Sequence, residues 1–425
     1  MIIKKIKGTH DLLFSSLEKW KIVEDKLKEL LEIYNFQEIR TPILEYDEVF
    51  YRSAEHSEMV LKETFKFQDK KGRTLVLRPE GTASVVRSYV ENKLDSIKDI
   101  LYKFYYYGPF FRYERPQKNR YRQFHQFGIE IINIKNVFQE VEVFFLLQEI
   151  LSMFSLEKAK IQINTLGDIA TRNNFLKIFT SYIYSNQESL CILCLQRIKR
   201  NILRIFDCKE CQNKNFLKKS PVILDYLTIE ANSKFKNIFR LLKKTNINFE
   251  INPRLVRGLD YYTDLVFEIV LPKNNDKNIV LGGGGNYNEL IESFGGKKTN
   301  SMGFAFGIER LISVLEENSF FEYRINSNKI DIYLLNLDNQ AILKSFFWLK
   351  DLRFHKIKSN MNYELSCFDT MLKKALQNNP RYIIFLGQKE IKSNRINIKN
   401  IDKKITYVVN EEELINFLRK ELSNK

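Results

Sequence analysis

The chain has 425 residues, 44% of them hydrophobic and 28% charged, which is too apolar for a disordered polypeptide and long enough for about three domains. Its 68 Lys and Arg against 52 Asp and Glu leave a formal charge of +16, pointing to a polyanionic partner. No apolar run approaches the ~20 residues of a membrane span, and five cysteines, four in two tight pairs, do not make a secreted disulfide framework; a cytoplasmic, non-membrane protein is expected.

In chain order, Asp11 reads as the N-cap of a first helix. Leu17, Trp20, Val23, Leu27, Leu30, Leu31 and Tyr34 then follow at three- and four-residue spacing on its apolar face. FQEIRTPILEYDEVF reads as a strand interrupted at Pro42, and TLVLRP, FYYYGPFFRYE and QFHQFGIEIIN read as further strands. Helical patterns occupy TASVVRSYV and QEVEVFFLLQEIL. Residues 251–300 are strand-like and glycine-rich, and SMGFAFGIERLISVL reads as strand, glycine turn, helix. The last hundred residues change rhythm. DIYLLNL, RYIIFLG and KITYVV are short apolar strands alternating with helical patterns at 339–352, 368–378 and 411–422, as in a small separate α/β domain.

The charge is unevenly spread. Residues 151–250 carry 17 basic and 8 acidic residues, and 326–425 carry 18 and 11, whereas 1–150 (25 and 23) and 251–325 (8 and 10) are together neutral. That pattern is a neutral core with a basic insertion and a basic tail domain.

Chemistry gathers in the neutral parts. In FFRYERPQKNRYRQFHQFGIE, alternation along two strand arms puts Arg112 and Glu114 on one face, and Gln126, Gly128 and Glu130 on one face of the returning arm. Such a face suits a hydrogen-bonding pocket, with Gly128 leaving room for a ligand. In LRPEGTASVVR, Glu80 and Thr82 flank Gly81 at a helix start, where a carboxylate either holds an ammonium group or complements the helix dipole. LVRGLDYYT offers Arg257 beside a glycine, then Asp260, Tyr261 and Tyr262. GGGGNYNEL lets backbone approach a ligand or another strand closely, without the Lys-Ser or Lys-Thr of a Walker loop. Arg310 opens a helix, where a basic side chain opposes the dipole unless an anion such as phosphate compensates it. Three separated arginines with carboxylates suit phosphoryl or nucleotidyl chemistry. The four histidines, His10, His56, His125 and His355, are scattered and read as structural or surface residues.

In this order the segments resemble a known family from end to end. KGTHDLL, RTPILE, FRYERPQKNRYRQFHQFGIE and GFAFGIERL, with RGLDYYT and GGGGNYNEL between the last two, are similar to the motifs of the class II histidyl-tRNA synthetases. The resemblance implies an α+β fold: an antiparallel-sheet catalytic core (residues 1–170 and 249–325), a helical basic insertion (171–248) and a C-terminal α/β anticodon-binding domain (329–425). It implies two steps, in which histidine and ATP with Mg2+ give histidyl-adenylate, and the histidyl group then passes to tRNA(His). Matched by motif, Arg112 with Glu114 and Arg310 bind ATP, with Arg112 at the α-phosphate and Arg310 at the γ-phosphate. Arg257 faces Arg112 across the α-phosphate. Glu80, Gly81, Thr82 and Gln126 take the substrate ammonium end, while Glu130, Tyr261 and Tyr262 take the imidazole. Gln117, Lys118 and Arg120 belong to a loop contacting the tRNA acceptor stem. A homodimer is implied as well. The stretch SNMNYELSCFDTMLKKALQNNP departs from the family pattern and leaves the anticodon-reading residues unassigned.

Cys191, Cys194, Cys208 and Cys211 pair as CILC and CKEC with thirteen residues between the pairs, a spacing suited to structural Zn2+; free reduced thiols are the alternative, and catalysis is expected not to depend on them. Two rival functions are a non-catalytic paralogue serving as regulatory subunit or histidine/tRNA sensor, and a class II synthetase for another amino acid. Retention of the arginines and RGLDYYT argues against the first, and Glu130 with the tyrosine pair against the second.

Overall fold

The protein was studied as a computed structural model, which describes residues 2–54, 57–97, 99–115, 120–273, 278–322 and 329–423. The chain divides into two compact units, Met1–Asp11 with Trp20–Phe321, and Leu12–Lys19 with Glu322–Lys425.

The first unit is built on an eight-stranded sheet. Its strands are β1 (Gln37–Glu38), β2 (Tyr102–Phe111), β3 (Gln123–Ile132), β4 (Lys160–Thr165), β5 (Phe249–Ile251), β6 (Thr263–Leu271), β7 (Ile279–Asn286) and β8 (Ser301–Gly307). They run in the order β1-β2-β3-β8-β7-β6-β4-β5; only the outermost pairs, β1 with β2 and β4 with β5, are parallel. This is the antiparallel-dominated core expected from the sequence. β2 and β3 pair over ten residues, from Tyr102 opposite Ile132 to Phe111 opposite Gln123.

The first helix, α1, spans Phe14–Ile33 and buries Trp20, Val23, Leu27, Leu30 and Leu31 as its spacing predicts. It begins three residues after Asp11, so Asp11 is not its cap. The segment at Pro42 is also more broken than expected: Gln37–Glu38 and Leu44–Tyr46 are strands, but Asp47–Ala54 is a helix, opened by two acidic residues that favour a helix N-terminus. Helix α2 (Thr82–Glu91) and helix α3 (Val137–Met153) form where their patterns place them.

Between β4 and β5 the chain is helical, with α4 (Ile169–Tyr184), α5 (Ile192–Ile198), α6 (Ile229–Lys243) and short 3-10 turns. Phe175, Phe179, Ile202, Leu203 and Ile205 from this region share one apolar cluster with Phe104, Tyr261, Tyr262 and Tyr287 of the core. Helix α7 (Ile308–Glu317) follows β8 and buries Ile308, Leu311, Ile312 and Leu315.

The second unit carries a five-stranded sheet of β9 (Ile330–Asn336), β10 (Ser359–Met361), β11 (Pro380–Leu386), β12 (Arg395–Asn400) and β13 (Thr406–Asn410), in the order β10-β9-β11-β12-β13. Helices Asn339–Phe354, Phe368–Gln377 and Leu414–Ser423 cover it. Strands β10 and β12 were not expected. Both are polar in composition, and only the alternating burial of Ile396, Ile398 and Asn400 reveals β12. No helix among the described residues is long and apolar enough to cross a membrane.

Candidate active site

One cavity of about 410 Å³ opens over the middle of the large sheet, and it gathers most of the residues singled out from the sequence. Glu80, Thr82, Arg112, Glu114, Arg120, Gln126, Arg257, Tyr261, Tyr262 and Arg310 line it. Gly81 and Glu130 do not, because both lie beneath its surface. Gln117 and Lys118 fall outside the described residues, as does His56.

The three arginines arrive from different elements. Arg112 lies just past the end of β2, where its N–H still pairs with the Arg122 carbonyl (2.9 Å). Glu114 is turned back by its own N–H bond to the Arg112 carbonyl (2.8 Å), so the two side chains do not share the face of a continuous strand. The Arg112 Nε donates to the Pro79 carbonyl (2.9 Å), and its guanidinium lies over the Phe124 ring (5.1 Å). Arg310, in the first turn of α7, donates to the Val280 carbonyl (3.0 Å). Arg257 donates through Nη1 to Glu268 on β6 and leaves a buried Nε without a hydrogen-bond partner among the described residues. Burial pushes the Glu268 carboxyl up against the opposing pull of Arg257.

The carboxylates are arranged in depth. Glu80 accepts from the N–H groups of Thr82 (2.7 Å) and Ala83 (2.8 Å), so it caps α2 while still facing the cavity. Burial raises its pKa, and the two N–H donors and Arg112 oppose that rise. Glu130 is fully buried behind it. The Thr82 hydroxyl donates to one of its oxygens (2.7 Å) and the Tyr287 hydroxyl to the other (2.6 Å). Burial pushes the Glu130 carboxyl up to about 8, the hydroxyl donors notwithstanding. Gln126 presents a buried Oε1 that has no hydrogen-bond partner among the described residues.

The glycines serve this packing. The room beside Gly128, expected to admit a ligand, is filled by the ring of Tyr106, whose Cζ would lie 2.4 Å from a Cβ at that position; the same ring abuts Gly81 at 2.3 Å. In the glycine run, Gly283 leaves space for the Arg257 guanidinium, 2.6 Å from a hypothetical Cβ, while Gly284 lets β8 approach, with the Gly303 carbonyl at 2.0 Å. Gly303 in turn leaves space for Glu130.

Comparisons with known proteins give the family. A family model described as histidyl-tRNA synthetase matches residues 8–177 and 186–311, and an anticodon binding domain model matches residues 349–421. The histidine--tRNA ligase of Phytoplasma mali (strain AT) is 51% identical over 423 residues, covering 99% of this chain and 100% of its own. The chain belongs to the histidyl-tRNA synthetase family. The histidine--tRNA ligase of Acholeplasma laidlawii (strain PG-8A) is 38% identical over 98% of each chain. Among solved structures, the apo histidyl-tRNA synthetase of S. aureus superposes with a TM-score of 0.82 at 32% identity, covering 98% of this chain and 100% of that one.

In this member of the histidyl-tRNA synthetase family, sequence reading missed the tyrosines and acids that support the site. Tyr106 and Tyr287 stand inside segments read as strands, and Glu268 is the single acid in the otherwise apolar run LVFEIVL. That isolation was the available signal, since an unpaired acid in a central strand needs a partner. His125 is structural as expected: its ring packs edge-on against Trp20 (4.7 Å) and pairs with Glu309 (3.2 Å).

The four cysteines converge. The Sγ atoms of Cys191, Cys194, Cys208 and Cys211 all lie within 4.8 Å of one another, and all but Cys191 are buried. The Cys191 N–H donates to the Cys211 sulfur (3.4 Å). Sulfurs around a tetrahedral ion with metal–sulfur bonds of ~2.3 Å stand just under 4 Å apart, so this donor set fits zinc.

Proposed function

We infer that this chain joins L-histidine to tRNA(His) at the expense of ATP, through histidyl-adenylate, as a histidine--tRNA ligase does. The observation that carries the chemistry is the convergence of Arg112, Arg257 and Arg310 on one cavity that also holds a buried carboxylate and an unpaired amide oxygen.

In the first step a histidine carboxylate oxygen attacks the α-phosphorus of ATP, bound with its Mg2+. The bond to the bridging oxygen breaks, and diphosphate leaves with the electron pair. Arg112 and Arg257 on either side of the α-phosphate would offset charge on the five-coordinate phosphorus, and Arg310 would hold the γ-phosphate. In the second step a hydroxyl of the tRNA's terminal adenosine attacks the histidyl carbonyl and AMP departs. Glu114 would accompany ATP. Arg120, 3.3 Å from Glu114, would face the acceptor end.

The Gln126 oxygen, Glu80 and Thr82 are read as the ammonium subsite, because an acceptor without a donor suits a substrate –NH3+. Tyr261 and Tyr262 are read as the imidazole wall. Glu130 would act on the imidazole from beneath, with its charge state set chiefly by burial and opposed by the Tyr287 and Thr82 hydroxyls, and Gly81 would serve by admitting Tyr106. The proposal includes a zinc ion at the four cysteines, a homodimer working in the cytoplasm, and the division into core (1–170, 249–325), insertion (171–248) and anticodon-binding domain (329–425). The family's non-catalytic alternative is not favoured, since the three arginines and RGLDYYT are all retained.

ATP–diphosphate exchange with each amino acid in turn tests the function; activity with histidine alone is expected, and none with histidine would overturn it. Elemental analysis tests the metal. A zinc-free preparation with four titratable thiols would remove zinc from the proposal.

A further inference from the structure

Arg257 sits on irregular backbone, the stretch from Leu255 to Tyr262, and ladder pairing does not hold it. Four side chains do. The Asn164 amide donates to the Leu255 carbonyl (3.0 Å) and the Ser57 hydroxyl to the Gly258 carbonyl (3.1 Å). Arg172 reaches the Tyr262 carbonyl (3.4 Å), and the Asn201 amide donates to the Asp260 carboxylate. The other oxygen of Asp260 is buried and has no hydrogen-bond partner among the described residues.

Two of these anchors, Arg172 and Asn201, come from the helical region between β4 and β5, and Asn201 lies inside the four-cysteine segment. That segment is itself packed into the core. Cys194, Cys208, Cys211, Ile202, Leu203 and Ile205 belong to the same apolar cluster as Leu255, Tyr261 and Tyr262. Asp207, the neighbour of Cys208, lines the cavity together with Arg257.

We propose that the four-cysteine knuckle is a positioning element for the catalytic-arginine stretch, acting through the hydrogen bond from Asn201 to Asp260. This reverses the expectation from the sequence that catalysis is indifferent to the cysteines. It rests on the zinc reading only for what holds the knuckle in shape. Rate falls steeply when the backbone wanders beneath a guanidinium that must meet the α-phosphate oxygens in the transition state, while ground-state binding of histidine and ATP, which has many other contacts, hardly changes.

The test is steady-state ATP–diphosphate exchange on the full chain, with zinc content and melting temperature measured on each variant. Asn201→Ala is expected to lower kcat about tenfold, with both KM values within about twofold and zinc content and melting temperature unchanged. The double variant N201D/D260N exchanges donor and acceptor and is expected to recover most of the rate. Cys191→Ser, at the least buried of the four positions, is expected to slow the same step; adding Asn201→Ala to it should cost less than a further twofold, because both act through one contact.

A wild-type kcat in Asn201→Ala, no recovery in the double variant, or independent multiplication of the two losses would each overturn the proposal. A zinc-free preparation in which Asn201→Ala is still tenfold slower removes the metal and leaves the positioning role standing. A zinc-loaded protein indifferent to Asn201→Ala removes the role and leaves the metal.

Discussion

The floor of the cavity and its rim are held by different means. The floor is sheet: Gln126 and Glu130 on β3, Glu268 on β6 and Gly283 on β7 are fixed by backbone register, so each side chain's place follows from a ladder position. The rim, comprising Arg257, Tyr261 and Tyr262, stands on irregular chain held by side chains from elsewhere. A perturbed floor should therefore lose stability and activity together. A perturbed rim should lose rate while the fold survives.

The largest expected effect lies on the rim. Arg257→His removes the guanidinium proposed to face the α-phosphate and should slow histidine-dependent ATP–diphosphate exchange by about 10²–10³-fold, as losing one preorganised donor to a transition state commonly does. Affinity for tRNA should stay within about twofold in a filter-binding assay. Comparable losses in both would mean that Arg257 serves RNA docking or folding, and the contrast between rim and floor would fail with it.

On the floor, Gly303→Ala would set a Cβ 1.9 Å from a Glu130 oxygen and 2.6 Å from the Ile129 carbonyl, in a strand paired on both sides. Neither neighbour can retreat, so the substitution should cost about 1–3 kcal/mol in denaturant unfolding, accompanied by a raised KM for histidine. The matching rim substitution, Gly258→Ala, meets nothing within 4 Å and should leave unfolding within about 0.5 kcal/mol of wild type. Equal destabilisation by the two would erase the distinction.

The same contrast explains what could be read from the sequence. The strands of the floor announced themselves by alternation, and with them came Gln126 and Glu130 on one face. What alternation cannot give is the partner across space. Tyr106 fills the room left by Gly81 and Gly128, Tyr287 donates to Glu130, and Glu268 receives Arg257, each pair drawn from segments that meet only when the sheet is assembled. The glycine run left two readings open, ligand or strand. Close strand approach accounts for Gly282 and Gly284, whereas Gly283 makes room for Arg257, and Gly285, set against the Leu265 carbonyl, also makes room for Tyr262. The rim was legible as a motif but not as a structure, because nothing local in RGLDYYT or in the cysteine segment says that Asn201 and Asp260 meet. The basic excess was legible only as a sum over segments.

The smallest expected effect concerns Glu130 and carries a sign. Its carboxyl is pushed up to about 8 in the fold, against about 4.3 for a glutamate in an unfolded chain, so the folded protein holds this proton more tightly. The neutral form is the one the buried site favours. Its stabilising contribution is therefore complete below about pH 4.3 and is lost progressively as pH rises toward 8. Gln cannot ionise, so Glu130→Gln removes this dependence. The melting temperature of wild type relative to Glu130→Gln should fall by a few degrees between pH 5 and pH 8. A flat difference would mean that the hydroxyls of Thr82 and Tyr287 already hold an ionised carboxylate there. The distinction matters for the floor's proposed role, because a carboxyl that keeps its proton at neutral pH can donate to an imidazole nitrogen. An ionised one can only accept.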